Sequence, residues 1–138
     1  MKRYQIENIV PTIFTLVSIY LLIIKFEFSL LFLGGLIFSL LGLIIWWLGK
    51  IALGDMFTAL PKAKKVVQTG IYSKIRHPIY FGLSLTLIGW IFLIRTEVSI
   101  ILSIIVILSL IARAYYEEKI LIKKFGKEYL KYKKETWF

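Results

Sequence analysis

Apolar residues gather into four runs separated by short polar links, at residues 9–24, 30–53, 78–94 and 98–112, and no acidic residue interrupts any of them. Continuous runs of this length, without strand-like alternation, predict helices that cross a membrane. At a rise of about 1.5 Å per residue the second run is long enough for a hydrocarbon layer of about 30 Å. The others reach that length by borrowing a turn from their flanks, which gives spans at 9–28, 30–53, 78–94 and 98–118. The links at 25–29 and 95–97 are short enough to be tight hairpins on one side of the membrane. Past the fourth run the helical period continues, with Ile122, Phe125, Tyr129 and Tyr132 three or four residues apart and Lys123, Lys124, Lys127, Lys131 and Lys134 on the other faces. That pattern predicts an amphipathic helix over 119–134 lying at the membrane surface, with Gly126 as a point where it bends. The expected fold is therefore an all-α integral membrane bundle of about four transmembrane helices plus a C-terminal interfacial helix. A loop at 54–77 joins the second and third spans.

Charge adds orientation to this picture. The 138 residues are 59% hydrophobic and carry a net charge of +10 from 18 Lys and Arg against 8 Asp and Glu. With the two hairpins placed on one side, every Lys and Arg except Lys25 and Arg95 falls on the other. The excess of basic residues on cytoplasmic segments assigns that side to the cytoplasm, with both termini and the 54–77 loop. Lys2 and Arg3 precede the first apolar run as in a secretory signal, but no small-residue cleavage site follows, so the first run is expected to be a retained span. The basic residues flank apolar runs instead of covering a soluble surface, which favours anionic lipid headgroups as a partner and argues against nucleic acid. The absence of cysteine rules out disulfides, thiolate metal sites and cysteine nucleophiles, and no metal site is expected. Gly35, Gly42 and Gly49 recur every seven residues, and Gly82, Thr86 and Gly89 share a face of the next helix. Small residues in such stripes let membrane helices approach closely, here within one bundle in preference to a dimer seam.

Two polar clusters interrupt the hydrocarbon. The first, "TGIYSKIRHPIYFG" at 69–82, holds the single histidine. Pro78 suits the first turn of a helix and pushes His77 into an extended conformation ahead of it. The imidazole is thus presented at a helix start, where free N–H groups and the positive dipole end favour an anion, with Arg76 beside it. Contact of Arg76 and His77 with lipid phosphates, with Tyr72 and Tyr80 as belt aromatics, is an equally good reading of this segment alone. The second cluster, "ARAYYEEKIL" at 112–121, places Arg113 and Glu117 four apart on one helix face and adds Glu118. Carboxylates at the foot of a membrane helix point to function when they face the bundle. One cluster opens the third span and the other closes the fourth, on the same side, so they can meet. Together they offer an anion-binding helix start, a carboxylate for an ammonium, tyrosines for a soft cation and an arginine for an acid. A zwitterionic amino acid bearing a sulfonium fits that set.

These residues, Thr69-Gly70-x-Tyr72-x3-Arg76-His77-Pro78-x-Tyr80-x-Gly82 and Arg113-x3-Glu117-Glu118-x2-Leu121-x3-Phe125-Gly126-x2-Tyr129-x2-Tyr132, resemble the isoprenylcysteine carboxyl methyltransferases and their phospholipid methyltransferase relatives. The resemblance covers residues 64–132. It implies S-adenosylmethionine as cofactor, a pocket lined by Tyr72, His77, Pro78, Ile79 and Tyr80, and largely backbone contacts from Lys64, Lys65, Val66 and Val67. It also implies that Glu117 faces the cofactor and that Arg113 lies near the methyl acceptor. One departure is a lysine, Lys64 or Lys65, where the family often has histidine ahead of the Thr-Gly turn. The expected activity is methyl transfer to a lipophilic acceptor, most simply a prenylcysteine-type carboxylate, which is ionised at neutral pH and needs no base. A phospholipid amine would have to lose a proton, for which Glu118 is the candidate base. The competing readings are a non-enzymatic basic module that binds anionic lipid or a partner protein, and a membrane reductase with a distantly similar C-terminal region.

Overall fold

The computed structural model describes Tyr20, Ile23 and residues 28–54 and 66–137. The first expected span, 9–28, and most of the basic part of the loop lie outside these residues. Four α-helices and a 3-10 turn are found among them: α1 Leu30–Leu53, the turn Gly70–Ser73, α2 Pro78–Ile94, α3 Glu97–Phe125 and α4 Lys127–Glu135. Two of these, α1 and α3, are long and apolar enough to cross a membrane, and α2 is a shorter apolar helix. The described residues are thus all-helical, with two candidate membrane spans and a third apolar helix of 17 residues, and the expected set of four spans is matched only in part because the first falls outside them.

Three of the four helix starts follow from local chemistry. The Ser29 side chain accepts from the Phe32 amide at the head of α1. Pro78 opens α2 at the position where its missing N–H costs nothing. Thr96 and Ser99 form a reciprocal capping box at the head of α3. The link between α2 and α3 is the two residues Arg95 and Thr96, with Arg95 in the left-handed region at φ 52°, so the expected hairpin is present.

The glycine stripes form the seam between α1 and α2, which run antiparallel. A methyl at Gly42 would meet the Thr86 amide nitrogen at 2.5 Å and the Gly82 carbonyl at 2.6 Å; one at Gly35 would meet the Gly89 carbonyl at 2.9 Å. Further along, Gly49 receives Pro78 and Ile79. The two backbones touch, which dispersion and close packing favour in a lipid solvent where no hydrophobic effect drives association. The outer faces are a continuous apolar surface, with Ile37, Leu40, Ile44, Trp47 and Ile51 of α1 and most of α3 exposed. A surface of that extent is what hydrocarbon covers.

Two sequence expectations change here. The predicted boundary between a span ending at 118 and a surface helix beginning at 119 falls inside one helix, because nothing in Lys119–Phe125 opposes helix continuation. The break comes at Gly126, whose φ of 52° suits glycine. The aromatic face of α4 is also not directed to lipid. Tyr129 and Tyr132 are buried against the chain, with the Tyr132 hydroxyl donating to the Tyr72 carbonyl at 2.7 Å. The Trp137 amide donates to the Lys74 carbonyl at 3.0 Å in an isolated parallel bridge. The helix is amphipathic because it docks on the 69–77 segment.

Candidate functional site

The turn Gly70–Ser73 and the residues after it bring Arg76 and His77 to the start of α2, beside the C-terminal half of α3 that carries Arg113, Glu117 and Glu118. The two clusters that the sequence keeps some 40 residues apart meet through direct bonds. The Tyr80 hydroxyl donates to Glu117 Oε1 at 2.5 Å, and Arg76 Nε donates to Glu118 Oε1 at 2.8 Å. Arg113 Nε lies 3.5 Å from Glu117 Oε1, and its guanidinium sits 5.9 Å from the centre of the Tyr80 ring. The His77 ring stacks on Tyr80 at 5.8 Å.

Glu117 and Glu118 are neighbours with different surroundings. Glu117 looks toward Tyr80 and the half-exposed Arg113. Glu118, with a side chain only 12% exposed, is gripped by Arg76 on one oxygen and by Lys133 Nζ at 2.5 Å on the other. A carboxylate held between two cations is kept ionised by them and is a poor proton acceptor. The sequence candidate for a base is therefore the hub of an ion cluster that ties α3, α4 and the α2 start together.

The remaining expected site residues sort by what they touch. His77 is 9% exposed, and its Nε2 has no hydrogen-bond partner; Glu118 Oε1 is 3.6 Å away, beyond hydrogen-bond range. Tyr72 is buried, and its carbonyl is used by Tyr132. Pro78 and Ile79 pack toward Gly49 of α1, so their side chains help form the helix seam. Val66 and Val67 are half-buried outside any helix, and Lys64 and Lys65 lie outside the described residues. Reading by sequence missed Lys133, Tyr129 and Thr136, because their contacts depend on how α4 folds back. The only sequence signal was the Tyr129-x2-Tyr132 spacing, which a surface helix also explains.

Burial lowers the pKa of His77 below its ordinary value, against the pull of the Glu118 and Glu117 carboxylates, while Arg76 adds to the lowering. The imidazole is thus neutral at pH 7, with one nitrogen free to accept or donate. Burial also raises Tyr72 and Tyr129 and pushes Tyr132 up to about 12, so these phenols stay protonated donors. A histidine whose folded pKa is depressed supports stability above its unfolded value and loses it as the pH falls, since the unfolded chain then takes up the proton first. Thermal unfolding in detergent is accordingly expected to show a lower midpoint at about pH 5 than at about pH 7.5. His77→Gln should flatten the part of that slope below about pH 6.5; an unchanged slope would count against a buried neutral imidazole.

The donor set fits a compact zwitterion with a soft cation. The Glu117 carboxylate, the Tyr80 phenol, the Arg113 guanidinium and the unpartnered His77 Nε2 gather at the start of α2, and the Tyr129 hydroxyl is also buried without a hydrogen-bond partner. Buried polar atoms are rarely left unsatisfied, so a polar ligand group is the natural partner for them.

Comparison with known proteins adds the following. The family model described as phospholipid methyltransferase matches residues 26–128. A protein-S-isoprenylcysteine O-methyltransferase of Saccharomyces cerevisiae is 36% identical over 89 residues, covering 60% of this chain and 37% of that protein. A protein-S-isoprenylcysteine O-methyltransferase of Dictyostelium discoideum is 32% identical over 113 residues, covering 67% of this chain and 48% of that protein. The chain therefore spans less than half the length of these curated relatives. No solved structure matches it.

Proposed function

The chain belongs to the phospholipid methyltransferase family, and from that premise we propose that it is a membrane-embedded, S-adenosylmethionine-dependent methyltransferase acting on a lipophilic carboxylate of the prenylcysteine type. The observation that carries this reading is the meeting of His77, with its unpartnered Nε2, with the Tyr80–Glu117–Arg113 group across the α2 start and α3. His77, Tyr80 and Glu117 would hold the cofactor, with backbone from Val66, Val67, Pro78 and Ile79. The bound group supplies an electrophilic methyl on a sulfonium. The protein's residues then have to bind, orient and exclude water, because a carboxylate acceptor attacks without losing a proton. Arg113, its side chain 44% exposed and directed toward Glu117 and Tyr80, is placed to hold that carboxylate. The engagement of Glu118 with Arg76 and Lys133 favours this acceptor over a phospholipid amine, which needs a base. The basic residues around the site support placing it at the cytoplasmic face.

The test is transfer of labelled methyl from S-adenosylmethionine by the purified protein in detergent. The offered acceptors are an S-farnesylated N-acetylcysteine and, separately, phosphatidylethanolamine. Base-labile label in the farnesylated compound is the expected outcome. Label in phosphatidylethanolamine alone would assign the amine reaction instead, and no transfer together with no binding of S-adenosylhomocysteine would reject the enzyme.

A further inference from the structure

The junction where α4 ends against the segment before α2 has no part in that chemistry as described, yet it is the most tightly bonded polar feature among the described residues. Arg76 donates from Nε to Glu118 Oε1 at 2.8 Å and from one terminal nitrogen to the Lys133 carbonyl at 3.2 Å and the Thr136 carbonyl at 2.7 Å. Those carbonyls lie at the C-terminal end of α4, where a helix leaves its last acceptors unpaired and its dipole is negative. Arg76 therefore caps α4 from another element. Lys133 Nζ closes the ring on the second oxygen of Glu118. The Arg76 and Glu118 side chains are 15% and 12% exposed. Withdrawing both charges that far from water offsets much of what their attraction returns, so the cluster is better explained by the geometry it fixes than by stability. What it fixes is the next residue: His77 Nε2 lies 3.6 Å from the same Glu118 oxygen and is buried without a partner.

We propose that Arg76 is a positioning residue: pinned between Glu118 and the terminal carbonyls of α4, it sets the first turn of α2 and with it the aim of the His77 imidazole. The identity of what His77 then meets rests on the methyl-donor reading above. Lysine cannot take over this role, since one ammonium on a flexible stem cannot span acceptors on two helices as a planar fork does. The charged and titratable groups that act on His77 are Arg76 on its own segment and Glu117 and Glu118 on α3, with the Tyr80 ring of α2 stacked against it.

His77 is the single histidine of the chain, so its imidazole gives one unambiguous resonance in the full-length, histidine-labelled protein in detergent. Arg76→Lys is expected to shift that resonance, move its titration midpoint up toward an ordinary value of about 6.5, and weaken S-adenosylhomocysteine binding about tenfold, with helix content retained. An unmoved imidazole in a folded Arg76→Lys protein overturns the proposal. Should that variant not fold, the wild type decides: a slowly exchanging Arg76 Nε–H supports the junction, and a rapidly exchanging one overturns it. Wild type that binds no S-adenosylhomocysteine would reject the donor reading while the imidazole shift still decides the positioning role.

Discussion

Replacing His77 by alanine is expected to weaken S-adenosylhomocysteine binding about tenfold to a hundredfold, the range for losing a hydrogen bond to a charged group. The imidazole is buried, neutral and unpartnered at Nε2, at the head of a helix whose free amides add positive potential. Removing it takes a donor or acceptor from the ligand without breaking a hydrogen bond within the protein, so affinity should fall while the helix content is retained. Lys74→Ala, two residues before Arg76 with an exposed side chain, should leave affinity unchanged. The combination Lys123→Ala, Lys124→Ala and Lys127→Ala should do so as well. Calorimetry separates this from the basic-module reading, under which the triple substitution abolishes function and His77→Ala is silent. That reverse pattern would remove the case for a cofactor site.

Gly82→Ala should destabilise the helical pair by about 1–3 kcal/mol, the cost of overpacking a close contact. The added methyl would meet the Trp46 amide nitrogen at 2.5 Å, the Gly42 carbonyl at 2.6 Å and the Trp46 Cα at 3.0 Å. All three are backbone, so no side chain can swing aside and α1 and α2 must separate. Tyr80 lies two residues before Gly82, so the same displacement should pull its hydroxyl from Glu117 and lower ligand affinity along with stability. Gly34→Ala supplies the control on the same helix pair, because nothing lies within 4 Å of the added atom. It should be neutral or slightly stabilising through helix propensity. Equal unfolding midpoints for the two variants would show that the glycine seam is not tightly packed.

Much of the site was legible before folding because its residues carry their own local instructions. Pro78 fixes a helix start and so the place of His77, and the Arg113–Glu117 spacing fixes a shared face. The glycine stripes were readable for the same reason, since a seven-residue recurrence needs only helical geometry to define a face. The role of Glu118 was not legible. Adjacent carboxylates on a helix look alike in sequence, and only their neighbours make one face Tyr80 and Arg113 and the other the Arg76–Lys133 pair. Pro78 and Ile79 were drawn to the cofactor pocket by their place in the motif. The structure adds that their side chains lie against Gly49 of α1, a contact the motif does not announce.

The sequence by itself determined that the chain is helical and membrane-embedded, where α1, α2 and α3 begin, and which two segments carry polar chemistry. Apolar runs, caps and proline act within a turn or two of chain, and their consequences need no distant partner. Only the tertiary structure decided what the C-terminal segment is for. An amphipathic helix satisfies its apolar face equally well on lipid or on protein, and period alone cannot distinguish them. Burial of Tyr129 and Tyr132 and the capture of the Lys133 and Thr136 carbonyls by Arg76 resolve that choice in favour of the protein. These contacts join residues 57 and 60 positions apart, and they exist only once α3 has turned at Gly126 and brought α4 back to the start of α2.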